Sequence, residues 1–427
     1  MERTLISKIQ QKDGQNVLIK GRILNVRSLG NIIFLVIQDY TGIIQTVFEK
    51  NAEVKMGETV AVKGLVKKEP RAKGGYELQG EKLEIISPIT EDLPFDLARN
   101  ELNLNINTLL DQRALSLRHP KVQAIFKLYD ILLKSYETVM REENFTEIKT
   151  PKILGSATEG GANFFKVKYF EKEATLAQSP QFYKQIMVGV FERVFEIGSA
   201  FRAEPHFTTR HVNEYISLDA EMGFIQDYSD VIQMLNKVIK KMFELLEKEG
   251  QPYLEMYKIK ISEVPEEIPC VKLAEIKKII KKEYGYAIPE ETDIDPKGES
   301  LAGKYAKEKF NSDFIFITHY PWSDRPFYTM PSSENSRETY GFDLLFKGLE
   351  IATGSQRIHT YKQLMENMRK KKVKPAGMEF YLETFKYAMP PHGGWAIGSE
   401  RVIQQILELG SVKEAILFPR DVKRLMP

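Results

Sequence analysis

Residues 194–222 read VFEIGSAFRAEPHFTTRHVNEYISLDAEM. An apolar run closes with Phe201-Arg202-Ala203-Glu204, and a second opens with Asn213-Glu214-Tyr215-Ile216-Ser217-Leu218-Asp219. This pattern predicts two strands joined by a polar loop. Arg202 and Glu204 alternate along the first strand, so we expect both on one face of a sheet. A guanidinium there can hold a phosphate bidentately while the carboxylate accepts hydrogen bonds nearby.

Two further segments flank this pair of strands. Towards the C-terminus, Gly394-Trp395-Ala396-Ile397-Gly398-Ser399-Glu400-Arg401 precedes an apolar helix that starts at Val402. Towards the N-terminus, Pro120 opens a helix and the chain leaves it through Glu147-Ile148-Lys149-Thr150-Pro151. Apolar side chains recur in that helix at steps of three and four and predict one broad apolar face, namely Val122, Ile125, Tyr129, Leu132, Leu133 and Tyr136.

The remaining segments predict an all-β start and a helical middle. Turn residues divide residues 16–87 into about five short strands, which favours a small closed barrel of the OB type. From this pattern alone, a nucleic-acid-binding barrel and a purely structural β-domain are about equally supported. Residues 227–249 predict a helix that Gly250 stops, and the charged residues 265–309 predict a helical insertion rather than core sheet.

Composition bounds the class of protein. The chain has 427 residues, of which 42% are hydrophobic, so we expect two or three folding units. Its longest apolar runs, such as 32–37, are of strand length, and no run approaches the roughly 20 residues that cross a bilayer. Cys270 is the sole cysteine, which predicts a reducing cytoplasmic location. The net charge of +2 neither demands nor excludes a polyanionic partner.

The sequence lacks the motifs of a phosphate-binding loop and of a zinc site. Gly75 and Gly80 have the spacing of a phosphate-binding loop, but Glu81-Lys82-Leu83 follows where lysine and then serine or threonine are required. The six histidines are scattered, without a His-Glu-x-x-His pair, so zinc chemistry is not expected.

Taken together, the three segments resemble motifs 1, 2 and 3 of class II aminoacyl-tRNA synthetases, in the order of that family. With an OB-like domain in front, the whole chain resembles the aspartyl and asparaginyl synthetases, and the archaeal-type aspartyl branch in particular. Three strings carry the narrower resemblance, namely Thr158-Glu159-Gly160-Gly161, Gln178-Ser179-Pro180-Gln181-Phe182-Tyr183-Lys184-Gln185 and Gly348-Leu349-Glu350-Ile351-Ala352-Thr353-Gly354-Ser355-Gln356-Arg357.

The resemblance implies an α+β fold in which a five-stranded OB barrel precedes a catalytic domain with an antiparallel sheet flanked by helices. We expect the anticodon-binding barrel at 1–87, a linker at 88–105 and the catalytic domain at 106–427, with a helical insertion at about 225–310. The broad apolar face of the Pro120 helix predicts a homodimer, and we expect this helix and the strand ending at Pro151 at its two-fold interface. The partners implied are tRNA and aspartate, without a membrane.

The resemblance also assigns residues to the two small substrates. Catalysis falls to Arg202, Glu204 and Arg401, and ATP binding to these three with Arg210, His211, Tyr215 and Glu350, where Tyr215 stacks on adenine. Aspartate binding falls to Glu159, Gln181, Lys184, Asp219, Thr353 and Arg357. Lys184 and Arg357 are placed on the substrate's side-chain carboxylate, and Glu159, Gln181 and Asp219 on its ammonium group.

Metal and tRNA sites are implied in the same way. Magnesium on the ATP phosphates falls to Asp343, Glu350 and Thr353, and the anticodon to Arg27, Phe34, Gln45 and Lys82. Thr353 stands where the family usually has serine and keeps the hydroxyl, whereas Ala396 replaces a common glycine. Since the aspartate α-carboxylate attacks the α-phosphorus of ATP, positive charge is needed where phosphate charge develops.

Three alternatives compete with an aspartate enzyme. An asparaginyl enzyme shares the motifs, but the resemblance puts no lysine at position 184 in that branch, because a cation gains no Coulomb energy from a neutral amide. A paralogue that activates an amino acid without charging tRNA would lack the barrel. A nucleic-acid-binding relic is disfavoured by Arg202, Glu204, Glu350 and Arg401.

Recognition of tRNA for asparagine as well as aspartate stays open. Leu24 stands where many archaeal relatives that charge only tRNA(Asp) have tryptophan, which favours recognition of both tRNAs. Lys82, in contrast, resembles the relatives that charge only tRNA(Asp).

Overall fold

The chain divides into two compact units. A computed structural model describes residues 1–49, 53–72, 74–155, 163–205 and 208–427. The first unit comprises Met1–Asn105 with Ala114–His119, and the second comprises Ile106–Arg113 with Pro120–Pro427. Residues 88–105 contain neither helix nor strand.

The first unit is a closed five-stranded barrel. A short 3₁₀ helix over Ile6–Lys12 precedes strands β1 (Asn16–Leu29), β2 (Ile32–Asp39), β3 (Gly42–Phe48), β4 (Thr59–Lys68) and β5 (Tyr76–Ser87). The strand order is β1-β2-β3-β5-β4, and only β3 and β5 run parallel. These strands confirm the predicted OB-type barrel, and they span the predicted residues 16–87.

Alternation of side chains explains why this stretch closes into a barrel. In β2, Ile33, Leu35 and Ile37 are buried while the residues between them are partly exposed. The inward set packs with Ile19 and Val62 into one apolar core. Period-two burial of this kind is what a sheet with one solvated face requires.

The second unit contains the remaining α-helices and strands, except that residues 114–116 of one short helix belong to the first unit. Its first half, together with the junction, comprises α1 (Ile106–Asp111), α2 (Arg113–Ser116), α3 (Pro120–Glu142), β6 (Thr146–Glu147), β7 (Ile153–Leu154), β8 (Lys166–Tyr169), β9 (Lys172–Leu176), α4 (Gln181–Phe191), β10 (Arg193–Phe201) and β11 (Glu214–Gly223). Its second half comprises α5 (Tyr228–Tyr257), β12 (Cys270–Lys272), α6 (Leu273–Tyr284), α7 (Pro296–Phe310), β13 (Phe314–Thr318), β14 (Gly341–Phe346), β15 (Leu349–Gln356), α8 (Tyr361–Lys370), α9 (Glu379–Thr384), β16 (His392–Gly398) and α10 (Ser399–Leu407).

An eight-stranded sheet organises this unit, in the order β12-β13-β14-β15-β16-β11-β10-β6. The six inner strands are antiparallel, as predicted, but the two edge strands β12 and β6 pair in parallel, so the sheet is mixed. β11 and β15 flank β16, which places the segments around Asp219, Thr353 and Ala396 side by side.

Helices α3 and α5 pack together on one face of this sheet. Of the predicted apolar face of α3, Val122, Ile125, Leu132 and Tyr136 are buried in the core of their own chain, whereas Tyr129 and Leu133 are only partly buried against it. Most of the broad apolar face of this helix is therefore covered within one chain, and the homodimer stays a prediction.

Helix α5 begins as predicted, with the Asp227 carboxylate accepting a hydrogen bond from the backbone N–H of Ser229. The predicted stop at Gly250 is wrong, because the helix continues to Tyr257. A Cβ at Gly250 would lie 2.6 Å from Leu128 Cδ2, so this glycine serves the close approach of α3 and α5 rather than a helix end.

Residues 225–310, predicted as a helical insertion, are not purely helical and are not wholly an insertion. Helices α6 and α7 are present, and they pack through Ile276 and Ala302 against Ile315 of β13. The same stretch also contains β12, an edge strand of the main sheet, and α5, which belongs to the central core. Among the residues that the structure describes, no helix is both long and apolar enough to cross a membrane.

Candidate active site

The hairpin of β10 and β11 has the predicted form. The two strands pair antiparallel from Arg193 with Met222 to Phe201 with Glu214. The predicted strand position of Arg202 and Glu204 is wrong, because β10 ends at Phe201 and both residues lie in the following loop. A loop position frees their side chains from strict alternation, and Arg202 Nη1 lies 3.7 Å from Glu204 Oε1.

A first pocket, called the arginine pocket here, opens beside this loop. Its cationic lining consists of Arg202, Arg210 and Arg401, and Glu204, Glu350 and Glu400 supply the carboxylates. Arg401 stands in the first turn of α10, donates to the backbone oxygen of Glu350 at 3.0 Å and lies 3.5 Å from its carboxylate. This arrangement places three guanidinium groups in one cleft, where they can bind the oxygens of a polyphosphate.

An aromatic ring and an imidazole complete the arginine pocket. The Arg202 guanidinium lies over the Tyr215 ring at 5.7 Å from its centroid. His211 shares a hydrogen bond of 2.6 Å between its Nδ1 and Thr208 Oγ1, and its Nε2 lies 3.9 Å from Glu204. The structure therefore brings together all seven residues that the sequence predicts for ATP.

Glu299 of α7 adds a contact that no sequence motif predicts. Its buried carboxylate accepts a hydrogen bond from Arg210 Nη2 at 2.5 Å. Burial, together with the nearby Glu350, raises the pKa of Glu299 to about 7, although Arg210 acts in the opposite direction. The signal available in the sequence is weak, because Glu299 looks like an ordinary acidic residue in the first turn of a helix.

Glu400 fixes the helix that carries Arg401. Its buried carboxylate accepts the backbone N–H of Ile216 at 2.9 Å and the hydroxyl of Tyr129 at 3.1 Å. Burial raises the pKa of Glu400 above its usual value. Glu400 thus ties α10 to β11 and α3, and it sets the position from which Arg401 reaches the pocket.

A second pocket, called the lysine pocket here, shares Arg202, Tyr215 and Thr353 with the first. Lys184 of α4 donates to Asp219 Oδ1 at 2.9 Å and to the Trp395 backbone oxygen at 2.8 Å. Four of the predicted aspartate-binding residues besides Thr353 line it or lie within hydrogen-bonding distance of its lining, namely Gln181, Lys184, Asp219 and Arg357. Glu159, the sixth, lies outside the described residues.

Glu221, which was not predicted from the sequence, contacts both cations of this pocket. Arg357 donates to both of its carboxylate oxygens, at 2.8 and 3.2 Å, and Lys184 Nζ lies 3.5 Å from it. Burial alone raises the pKa of Glu221, but Arg357 and Lys184 together hold that pKa below its usual value. The available signal was strand alternation, since Asp219 and Glu221 share one face of β11.

Arg325 is a second missed residue, and it lines the lysine pocket. Its Nη1 donates to Thr353 Oγ1 at 2.9 Å and its Nη2 to Asp343 Oδ2 at 2.7 Å. Arg325 belongs to residues 319–340, which carry isolated bridges but no helix or longer strand. Without periodicity in that stretch, no pattern marks it. Two predicted metal ligands, Asp343 and Thr353, thus already share one guanidinium.

The predicted anticodon residues lie on the barrel. Arg27 of β1 is directly opposite Phe34 of β2, and Val36, two residues further on, is opposite Gln45 of β3. The side chains of Arg27, Phe34 and Gln45 therefore share one face of the barrel. Phe34 lies between the inward residues Ile33 and Leu35 and is partly exposed, so it is not part of the barrel core. Lys82 is exposed on β5, opposite Lys63.

Comparison with protein families gives two matches. The family described as tRNA synthetases class II (D, K and N) matches residues 105–422. The family described as OB-fold nucleic acid binding domain matches residues 17–86. Together they span nearly the whole chain.

Individual relatives are similar over their full length. The chain is 44% identical to an aspartate–tRNA(Asp/Asn) ligase of Deinococcus radiodurans, covering 100% of this chain and 99% of the relative. It is 39% identical to an aspartate–tRNA(Asp) ligase of Pyrococcus horikoshii, covering 98% of each. Among solved structures, asparaginyl-tRNA synthetase from Pyrococcus horikoshii, complexed with asparaginyl-adenylate, superposes with a TM-score of 0.93 at 29% identity and covers 100% of both chains.

Proposed function

The chain belongs to the class II tRNA synthetases of the aspartate, lysine and asparagine group, and we propose that it is an aspartate–tRNA ligase. The α-carboxylate of aspartate attacks the α-phosphorus of ATP, which gives aspartyl-adenylate and releases pyrophosphate. A hydroxyl at the 3′ end of tRNA then attacks the acyl carbon and releases AMP. Neither step needs a covalent protein intermediate, so the main task of the chain is to position charged groups.

The charge pattern of the lysine pocket is the observation that carries this proposal. Lys184 and Arg357 are buried cations that line this pocket and already pair with Asp219 and Glu221, and a side-chain carboxylate on the substrate adds a further acceptor for both. We assign the substrate ammonium group to Asp219, which accepts a hydrogen bond from Lys184 at 2.9 Å, and to Gln181, which lines the pocket. Asparagine offers only a neutral amide to the two cations, which favours aspartate.

The arginine pocket supports a role in ATP binding. We assign Arg202 and Arg401 to phosphate oxygens and Tyr215 to the adenine ring, with Arg210, His211 and Glu204 completing the site. Positive groups fixed in a cleft stabilise charge as it grows on phosphate oxygens without having to reorganise during the reaction. The two pockets adjoin at Arg202 and Tyr215, which supports direct contact between the two substrates.

Magnesium fits the donor set near this junction. Asp343, Glu350 and Thr353 offer two carboxylates and a hydroxyl, which are hard oxygen ligands, and Asp343 and Thr353 are directly opposite each other on β14 and β15. Within the described ranges no group of three or more His, Cys, Asp or Glu forms a metal cluster. Magnesium characteristically uses one or two carboxylates together with substrate phosphates, and when bound it neutralises phosphate charge.

Pyrophosphate exchange into ATP in the absence of tRNA tests this function. We expect exchange with aspartate and at least about a hundredfold less with asparagine or lysine, because a lost ion pair in a buried site costs several kcal/mol. If asparagine supported faster exchange than aspartate, the chain would instead be an asparaginyl-tRNA synthetase. Exchange with aspartate but no aspartylation of any tRNA would favour the tRNA-independent paralogue.

The second question about function is whether this chain aspartylates one tRNA or two. The relatives from Deinococcus radiodurans and Thermus thermophilus, at 44% and 42% identity, are named for both tRNA(Asp) and tRNA(Asn), whereas that of Pyrococcus horikoshii is named for tRNA(Asp). We propose that this chain aspartylates both, and the identity of 44% and 42% to the first two relatives, against 39% to that of Pyrococcus horikoshii, supports this. Aspartylation of the two purified tRNAs at equal concentration is the test, and charging of tRNA(Asp) alone would contradict it.

Assembly and location remain proposals as well. The stretch that follows the predicted interface strand in the sequence carries four exposed apolar side chains among its described residues, namely Ile153, Phe165, Tyr169 and Phe170. They support a homodimer, which light scattering at micromolar concentration tests, and a monomeric mass would contradict it. The single cysteine supports a cytoplasmic location, where thiols stay reduced.

A further inference from the structure

Arg325 holds two of the three side chains that the proposed function assigns to magnesium. Its Nη1 is 2.9 Å from Thr353 Oγ1 and its Nη2 is 2.7 Å from Asp343 Oδ2. The side chains of Arg325 and Asp343 are only 13% and 8% exposed. The guanidinium therefore bridges its two partners in a largely dry site, where a charge–charge contact is screened little.

The surroundings keep Arg325 in this position and in its charged form. Its guanidinium carbon lies 3.8 Å from the centroid of the Tyr320 ring. Burial alone lowers the pKa of Arg325, but Asp343, Tyr320 and Asp293 raise that pKa above its ordinary value. An arginine is in any case not deprotonated in a protein. The positive charge beside Asp343 and Thr353 is permanent.

We propose that Arg325 is a tethered cation that occupies the ligands Asp343 and Thr353 in the free enzyme and weakens its binding of divalent metal. A divalent ion on the same two side chains meets a like charge a few ångströms away, which disfavours it. The triphosphate of ATP brings negative charge that offsets this repulsion. Metal therefore binds the free enzyme weakly and the ATP complex well. Arg325 is a positioning residue and takes no part in bond making. The inference rests on the proposed metal ligands.

Titration of the intact free protein with Mn²⁺, followed by electron paramagnetic resonance, tests this directly. Arg325→Gln should bind Mn²⁺ at least about tenfold more tightly than the wild type, since one nearby positive charge is removed. Arg325→Lys keeps the charge but cannot reach both partners, so its affinity should lie between the two. Arg337→Gln, which removes an exposed positive charge from the same irregular stretch, is the matched control and should leave Mn²⁺ affinity unchanged.

A second background separates direct competition from a general effect of charge. In an Asp343→Asn protein, Arg325→Gln should no longer tighten Mn²⁺ binding. An equal gain in that background, or an Arg325→Gln protein that binds Mn²⁺ no better than the wild type, would overturn the inference. Because these titrations contain neither aspartate nor tRNA, their outcome is independent of the exchange assay, and absence of aspartate-dependent exchange would instead overturn the proposed function.

Discussion

Lys184 Nζ lies 2.9 Å from Asp219 Oδ1, and both side chains are only 2% exposed. In a Lys184→Met protein, Asp219 and Glu221 lose a buried cation. We expect the free energy of unfolding to fall by about 3–5 kcal/mol, because an uncompensated charge stays buried. Urea unfolding measures this. Lys166→Met, at an exposed salt bridge with Glu173, is the control and should cost less than about 1 kcal/mol. Equal losses in the two variants would contradict the buried ion pair.

Removal of Arg401 should affect catalysis more than stability. Its side chain is 23% exposed, and we assign it to phosphate charge that grows in the transition state. Arg401→Ala should slow aspartate-dependent pyrophosphate exchange by about two to three orders of magnitude, as loss of one electrostatic donor typically does. Arg202→Ala should behave alike. Arg71→Ala, in an exposed barrel salt bridge, is the control. A folded Arg401→Ala protein with full exchange would remove Arg401 from the site.

His392 makes stability depend on pH. Burial lowers the pKa of its imidazole from 6.5 to about 4 in the folded protein. The unfolded ring therefore takes up a proton at a higher pH than the folded ring. Stability that is complete above pH 6.5 is lost as the pH falls towards about 4, at up to about 1.4 kcal/mol per pH unit and roughly 3 kcal/mol in all.

Comparison with a variant isolates this contribution. Unfolding free energies of the wild type and His392→Asn, measured between pH 7.5 and 4.5, should converge as the pH falls, because only the wild type loses the contribution of the ring. A constant difference between the two proteins over that interval would show that His392 does not titrate differently in the folded and unfolded states.

Phe34 should matter for tRNA and not for adenylate formation. The ring is partly exposed on the same barrel face as Arg27 and Gln45. Stacking of a base on an aromatic ring is worth roughly 1–3 kcal/mol, so Phe34→Ala should weaken tRNA charging by about one to two orders of magnitude and leave exchange intact. Tyr40→Ala, at an exposed aromatic next to the turn after β2, is the control. Equal loss of charging in both variants would place the base elsewhere.

Strand alternation and turn residues predicted the barrel, because both are encoded by short-range spacing. The antiparallel centre of the sheet and most residues of the two pockets were implied instead by the resemblance of the motifs to class II synthetases. Contacts between distant segments were not predicted. Glu299 and Arg325 come from separate parts of the chain, and each meets its partner only after the sheet has formed. Arg202 was placed on a strand, although β10 ends one residue earlier. Strand ends depend on tertiary contacts that local propensity does not contain.

The crossing of α3 and α5 has a consequence for protein engineering. Replacing glycine by alanine inside a helix usually stabilises a protein by about 0.5–1 kcal/mol, so Gly250 is an obvious target for thermal improvement. A methyl group there would meet Leu128 Cδ2 at 2.6 Å. Overpacking of a dense core typically costs about 1–3 kcal/mol, more than the helix gains. Gly250 should therefore be left unchanged when this protein is stabilised by substitutions, although glycine inside a helix usually lowers stability.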